Sequence, residues 1–244
     1  DLNVEVKVIK TKGDKILDVA LSRIGDKGLF TREIEKELLD GSIDMAIHSM
    51  KDLPSQLAPG LCIAAVLERE NPGDVLISRQ GYKFYELPEG AVIGTSSLRR
   101  ISQIRALRPD INLVDMRGNV ETRINKMYEQ DLDGIVLAYA GVKRLGFEDK
   151  ISDFLPHEVI LPAVGQGAIA VEVREGDGAS LELARSINHE PTDWANRTER
   201  SFLKVLEGGC QVPIGCYAEV RGESMTVEGL IASLDGRRVF RGSM

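Results

Sequence analysis

The run Gly94-Thr95-Ser96-Ser97-Leu98-Arg99-Arg100 sets small hydroxylated residues and then two arginines where an apolar stretch gives way to helical spacing. Hydroxyls at such a junction can cap the helix, and its free N–H groups and dipole favour an anion. Neighbours on a helix diverge by about 100°, so Arg99 and Arg100 are not expected to face one direction, and one of them is open to packing or a surface ion pair. A second junction runs from Asp115 to Arg123, where Gly118 would let the backbone approach a ligand between Arg117 and Arg123. Lys143 and Arg144 follow a third apolar run. Guanidinium forks grip carboxylates at two points, so the implied ligand is a small, carboxylated polyanion. The alternative is a set of exposed charges that solvate helix ends; their shared place at the ends of successive strands favours the ligand.

His48-Ser49-Met50-Lys51-Asp52-Leu53-Pro54 follows another apolar run. An aspartate there, beside Lys51, can stay ionised and stabilise a developing cation or move a proton, as chemistry at an amine-bearing carbon requires. A turn acid before Pro54 is the other reading of Asp52, and His48 is read as a structural residue. Gly208-Gly209-Cys210-Gln211-Val212-Pro213 describes a turning loop that presents a thiol able to act as nucleophile or attachment point. Cys62 lies in an apolar run and reads as core, and Cys216 begins a strand. Between Lys10 and Gly28, three glycines stand among basic residues that include Lys15, Arg23 and Lys27, which reads as a cationic loop that could close over an anion.

Apolar, β-branched runs at 43–48, 61–67, 91–95, 111–115, 134–138 and 168–173 read as strands, and helical periods fall at 28–40, 98–107, 119–129 and 178–187. Their alternation predicts an α/β fold with mainly parallel sheets. After a charged helix at about 192–206, runs at 216–221, 225–233 and 237–241, with turns at Gly222 and Asp235-Gly236, predict an antiparallel meander in a small C-terminal α+β unit. The stretches 69–73 and 161–167 are where the chain would cross between two lobes.

With 244 residues, 43% of them apolar, the chain can bury a sizeable core. A net charge of −7 disfavours non-specific nucleic-acid binding. No apolar run is long enough to cross a bilayer, and Asp-Leu-Asn-Val-Glu-Val is no signal peptide. Three cysteines without Cys-x-x-Cys spacing argue against a zinc site or disulfide scaffold, and a reducing cytoplasmic setting is expected.

Taken in order, the runs 27–30 (Lys-Gly-Leu-Phe), 48–52, 94–100, 117–119, 161–167 (Leu-Pro-Ala-Val-Gly-Gln-Gly) and 207–215 (Glu-Gly-Gly-Cys-Gln-Val-Pro-Ile-Gly) resemble the porphobilinogen deaminase family across nearly the whole chain. The resemblance implies two lobes like type II periplasmic binding proteins, built from 1–68 with 167–187 and from 73–161, and a third α+β domain at 190–244. It implies a dipyrromethane cofactor attached to Cys210, with Asp52 as the catalytic carboxylate. Lys51, Asp52, Ser97, Arg99, Arg100, Arg117 and Gly118 are implied cofactor contacts, and Arg117, Arg123, Arg144 and Gln166 substrate contacts. Porphobilinogen is the implied partner, and the implied enzyme is a monomer without metal, nucleic acid or membrane. The family's first strand and helix, with an Arg-x-Ser-x-Leu-Ala motif, would precede residue 1, and its final helix would follow Met244. A non-catalytic two-lobed protein clamping a small dicarboxylate is the alternative; a displayed thiol at Cys210 tells against it.

Overall fold

A computed structural model describes residues 3–15, 28–206 and 212–244. Three sheets organise them. The first has strand order β1 (Met45–Ser49), β8 (Ile169–Arg174), β2 (Leu61–Val66). The second has order β5 (Asn112–Val114), β4 (Val92–Gly94), β6 (Gly134–Ala138), β3 (Asp74–Ser78), β7 (Asp153–Leu155). The third is the predicted meander of β9 (Ile214–Arg221), β10 (Ser224–Ala232) and β11 (Val239–Ser243), paired antiparallel throughout.

Seven helices are described: α1 (Lys12–Lys15), α2 (Arg32–Leu39), α3 (Leu98–Leu107), α4 (Val120–Glu129), α5 (Tyr139–Arg144), α6 (Gly178–Arg185) and α7 (Glu190–Val205). In α7 Pro191 sits in the first turn, where its missing N–H costs no helical bond.

The expectation of mainly parallel sheets is corrected. Among the described strands only β4 pairs parallel, with β5 and with β6. In the first sheet β8 returns between β1 and β2 and pairs antiparallel to both, and β3 is antiparallel to β6 and β7. In the first two sheets the strand antiparallel to its neighbours is the first one after a crossing between lobes, β8 in the first and β3 in the second. Spacing along a sequence reports element type, and such long-range returns reverse the pairing without changing it.

β3 and β6 are buried at every position because both faces of their sheet are covered. Leu76, Ile93 and Val136 pack on one face with Phe84 and Ile104. Val75, Ile77, Ile135 and Leu137 pack on the other with Met116 and Met127, as the two-residue period of a strand requires. Between the sheets the chain passes at 67–73 and 156–168, and the two passages are tied together: Glu70 N–H donates to Gly167 O at 3.0 Å and Arg69 Nε to Gln166 O at 2.9 Å.

Candidate active site

The ends of β1, β4 and β5 deliver their following turns to one cavity. After β4, Ser96 Oγ donates to Met116 O at 3.0 Å and accepts from Met116 N–H at 2.9 Å, stitching the β4 and β5 turns together. Ser97 stands at the N-cap of α3, but its side chain makes no capping hydrogen bond, contrary to the expectation of a hydroxyl cap. Asn119 does cap α4, its Oδ1 accepting from Thr122 N–H at 2.8 Å. After β1, Lys51 and Asp52 lie in a 3-10 turn. That turn packs on Gly165, where an added Cβ would come 3.2 Å from Lys51 N.

The cavity holds about 530 Å³, and Lys51, Asp52, Ser97, Arg99, Arg100, Arg117, Gly118, Arg123 and Gln166 all line it. Phe30, Leu203, Val212 and Ile214 give it apolar walls that the sequence reading did not assign. Asp52 is exposed, and Lys51 is half-buried.

Electrostatics decide what this cavity accepts. Arg99 and Arg100 converge on one carboxylate, that of Asp74, a residue with no solvent exposure. Arg100 Nη2 donates to Asp74 Oδ1 at 2.7 Å, and Arg99 Nη2 lies 2.9 Å from Oδ2. Neither arginine therefore serves a surface ion pair. Each also donates to a backbone carbonyl, Arg99 to Leu161 O at 2.7 Å and Arg100 to Val136 O at 2.9 Å. Burial raises the Asp74 carboxyl, but the charges of Arg100 and Arg99 and the hydrogen bonds from Arg100 and Gln166 outweigh it and hold the acid far below its ordinary value.

The cations feel the opposite pressure. Burial lowers Lys51, with the charges of Arg100 and Arg99 adding to it and Asp52 and Asp74 opposing. Burial and the charges of Arg100 and Arg117 bring Arg123 down to about 10, against the pull of Asp52. Among the described residues five cations, Lys51, Arg99, Arg100, Arg117 and Arg123, and two carboxylates, Asp52 and Asp74, meet here. A carboxylated ligand is matched by such a cationic lining, so these residues fit a dipyrromethane group with acidic side chains.

Two expected contacts stand differently. Arg144 does not line the cavity; it is exposed at the last position of α5, six residues past β6 and so about 9 Å along a helix from the strand end. Lys143 beside it pairs with Glu70 at 2.7 Å. Cys210 lies outside the described residues, as do 16–27 of the predicted cationic loop; Val212 and Ile214, which follow Cys210, line the cavity, and so does Gly13 in α1. His48 is buried with Nε2 3.0 Å from Glu172 Oε2, a structural pair. Asp74 carries no motif signal: it opens a strand 25 positions before Arg99, after an Asn-Pro-Gly turn.

Comparison with known proteins gives the same direction. The family described as "Porphobilinogen deaminase, dipyromethane cofactor binding domain" matches residues 1–182, and "Porphobilinogen deaminase, C-terminal domain" matches 195–244. A porphobilinogen deaminase from Syntrophomonas wolfei is 66% identical over 243 residues, covering 100% of this chain and 79% of its own. One from Carboxydothermus hydrogenoformans is 60% identical over 242 residues, 99% of this chain and 78% of that one. Among solved structures, a YaeC-family lipoprotein from Enterococcus faecalis aligns at a TM-score of 0.41 and 13% identity, covering 68% of this chain and 79% of that one, too weak a likeness to add to the assignment. With both family descriptions matched in order and relatives above half identity along essentially its whole length, the chain belongs to the porphobilinogen deaminase family.

Proposed function

We propose that this chain joins four porphobilinogen molecules head to tail on a dipyrromethane primer carried by the sulfur of Cys210, releasing ammonia at each addition and hydroxymethylbilane at the end, a step of tetrapyrrole biosynthesis. The observation that carries this reading is the convergence of five cationic side chains with Asp52 on one cavity. In each addition the C–N bond of the substrate's aminomethyl group breaks and nitrogen leaves as ammonia. A C–C bond then forms to a free pyrrole α-carbon, whose proton is lost to solvent, and after the fourth addition water cleaves the bond to the primer and supplies the hydroxyl of the released hydroxymethylbilane. Bound in the cavity, the dipyrromethane group supplies that first α-carbon.

Asp52 is assigned the developing positive charge on the substrate pyrrole, for which a carboxylate at the cavity wall is suited. Arg99, Arg100, Arg117, Arg123 and Lys51 are assigned the carboxylates of primer and substrate, fixing register; Ser97 offers a hydroxyl, and Gly118 a close backbone approach. Gln166 reaches the ligand through its carbonyl oxygen, because its amide nitrogen already donates to Pro72 O at 2.6 Å and to Asp74 Oδ1 at 2.8 Å. Catalysis on this account is largely positioning and electrostatics. The dicarboxylate-binding alternative is disfavoured by the family and gives no use to Cys210.

The three separate sheets support a division into 1–68 with 167–187, 73–161 and 190–244. No helix among the described residues is long and apolar enough to cross a membrane; a cytoplasmic monomer without nucleic-acid or membrane partners is part of this proposal. Intact-protein mass of the full-length protein tests the central claim. The native protein should carry an adduct of two pyrrole units and Cys210→Ser none, with ammonia released only by the former when porphobilinogen is added. An unmodified Cys210 in protein that turns over would overturn it.

A further inference from the structure

We propose that Asp74 is a positioning residue for the polymerisation: one buried carboxylate locks the guanidinium groups of Arg99 and Arg100 side by side at the cavity wall and ties them, through Gln166, to the segment that crosses between the lobes. The inference rests on the proposed function and assigns a role to a side chain that is not itself among the cavity-lining residues.

Successive residues on a helix diverge, so two arginines at the start of α3 converge only if something outside the helix holds both. Asp74 does so with separate oxygens, Oδ1 to Arg100 at 2.7 Å and Oδ2 beside Arg99 at 2.9 Å. The remaining nitrogens are also committed, to Leu161 O and Val136 O. Asp74 Oδ2 holds Arg99 as an ion pair, while Oδ1 accepts a hydrogen bond from Arg100. A carboxylate is a fixed two-point template for such a pair in a way that a carbonyl is not. Gln166 Nε2 donates to the same Oδ1 at 2.8 Å, while Gln166 O accepts from Arg69 Nε at 2.9 Å. A movement of the crossing segment is therefore felt at the arginine pair.

Steady-state kinetics, melting temperature and primer occupancy of the full-length holoenzyme form the test, with Asp74→Asn, Asp74→Glu and Gln166→Met. Asp74→Asn keeps the shape and removes the charge. It should raise KM for porphobilinogen at least about tenfold with kcat changed less than about threefold, because the arginines grip carboxylates in ground and transition states alike. The primer-bearing fraction, read by intact mass, should fall. Asp74→Glu restores the charge but displaces it by a methylene, so it should recover melting temperature more than KM. Gln166→Met spares the ion pairs and should raise KM by a smaller factor, which keeps the proposal testable if the Asp74 variants fail to fold. A wild-type KM in folded Asp74→Asn, or in Gln166→Met where the Asp74 variants do not fold, would overturn the positioning role. So would parallel losses of melting temperature and kcat at constant KM. Absence of turnover in the unmutated holoenzyme would strike the function instead.

Discussion

Arg69 grips Glu199 at two points, Nη1 2.5 Å from Oε1 and Nη2 3.2 Å from Oε2, and each carboxylate oxygen also accepts a backbone N–H, Oε1 from Ala218 at 2.8 Å and Oε2 from Gly165 at 2.7 Å. Arg69 lies in one crossing segment, Gly165 in the other, Glu199 in α7 and Ala218 in β9, so a single fully buried carboxylate joins both crossings to the third sheet. Removing one partner of a buried pair strands the other's charge, at about 3–5 kcal/mol. Glu199→Gln should accordingly lower the unfolding free energy by an amount in that range, read as a lower denaturant midpoint at an unchanged m-value. Replacing the pair by Arg69→Met with Glu199→Leu should recover only part of the loss, because the N–H groups of Gly165 and Ala218 stay unpaired. Full recovery in the double variant would show that those backbone bonds matter little.

Asp52 is exposed at the cavity wall and faces the charges of Lys51 and Arg123. If it stabilises the cation formed as ammonia leaves, Asp52→Ala should cut kcat by at least about a hundredfold while the Cys210-linked primer remains visible by intact mass. Near-normal turnover would remove Asp52 from the chemistry. Loss of the primer together with activity would instead place its role at primer assembly.

For Arg123 the sign follows from its folded value of about 10 against an ordinary 12.5. The folded chain holds this proton less tightly than the unfolded one, so the charged side chain opposes folding at every pH below about 10. An anionic ligand relieves that cost. Arg123→Met should therefore stabilise the primer-free protein at neutral pH by about 1 kcal/mol, a rise of about 2–4 °C, after allowing for the lost bond from Arg123 Nε to Gly118 O at 2.7 Å. In the same variant KM should rise at least about tenfold. Calorimetry showing a lower melting temperature would mean that the Gly118 bond outweighs the buried charge.

Much of this arrangement was legible in the sequence, and the gaps have physical causes. The strands ending at Gly94 and Val114 and the helices starting at Leu98 and Val120 fall within a few residues of their expected places, because local periodicity and turn chemistry set them. The pairing of β8 between β1 and β2 was not legible, since it joins segments more than a hundred positions apart. Asp74 has no local signal: its partners lie on other elements, and burial, which makes it potent, is not written in spacing. Arg144 was grouped with the site because it follows β6, but α5 carries it along the helix and out to solvent.

Gly118 carries the last prediction. Its φ of +123° is a conformation that L side chains rarely adopt, and an added Cβ would lie 2.7 Å from Thr122 Cγ2. Its carbonyl accepts from Arg123 Nε, and it follows Arg117 in the chain, so a shift of this turn displaces two of the site's cations. Gly118→Ala should cost about 1–3 kcal/mol of stability and raise KM. Gly146→Ala is the control: Gly146 has φ +72° with nothing within 4 Å of an added Cβ, and it does not line the cavity. Strain there should appear in the melting temperature and leave KM alone. A wild-type KM in Gly118→Ala would mean that Arg117 and Arg123 take their positions independently of the turn between β5 and α4.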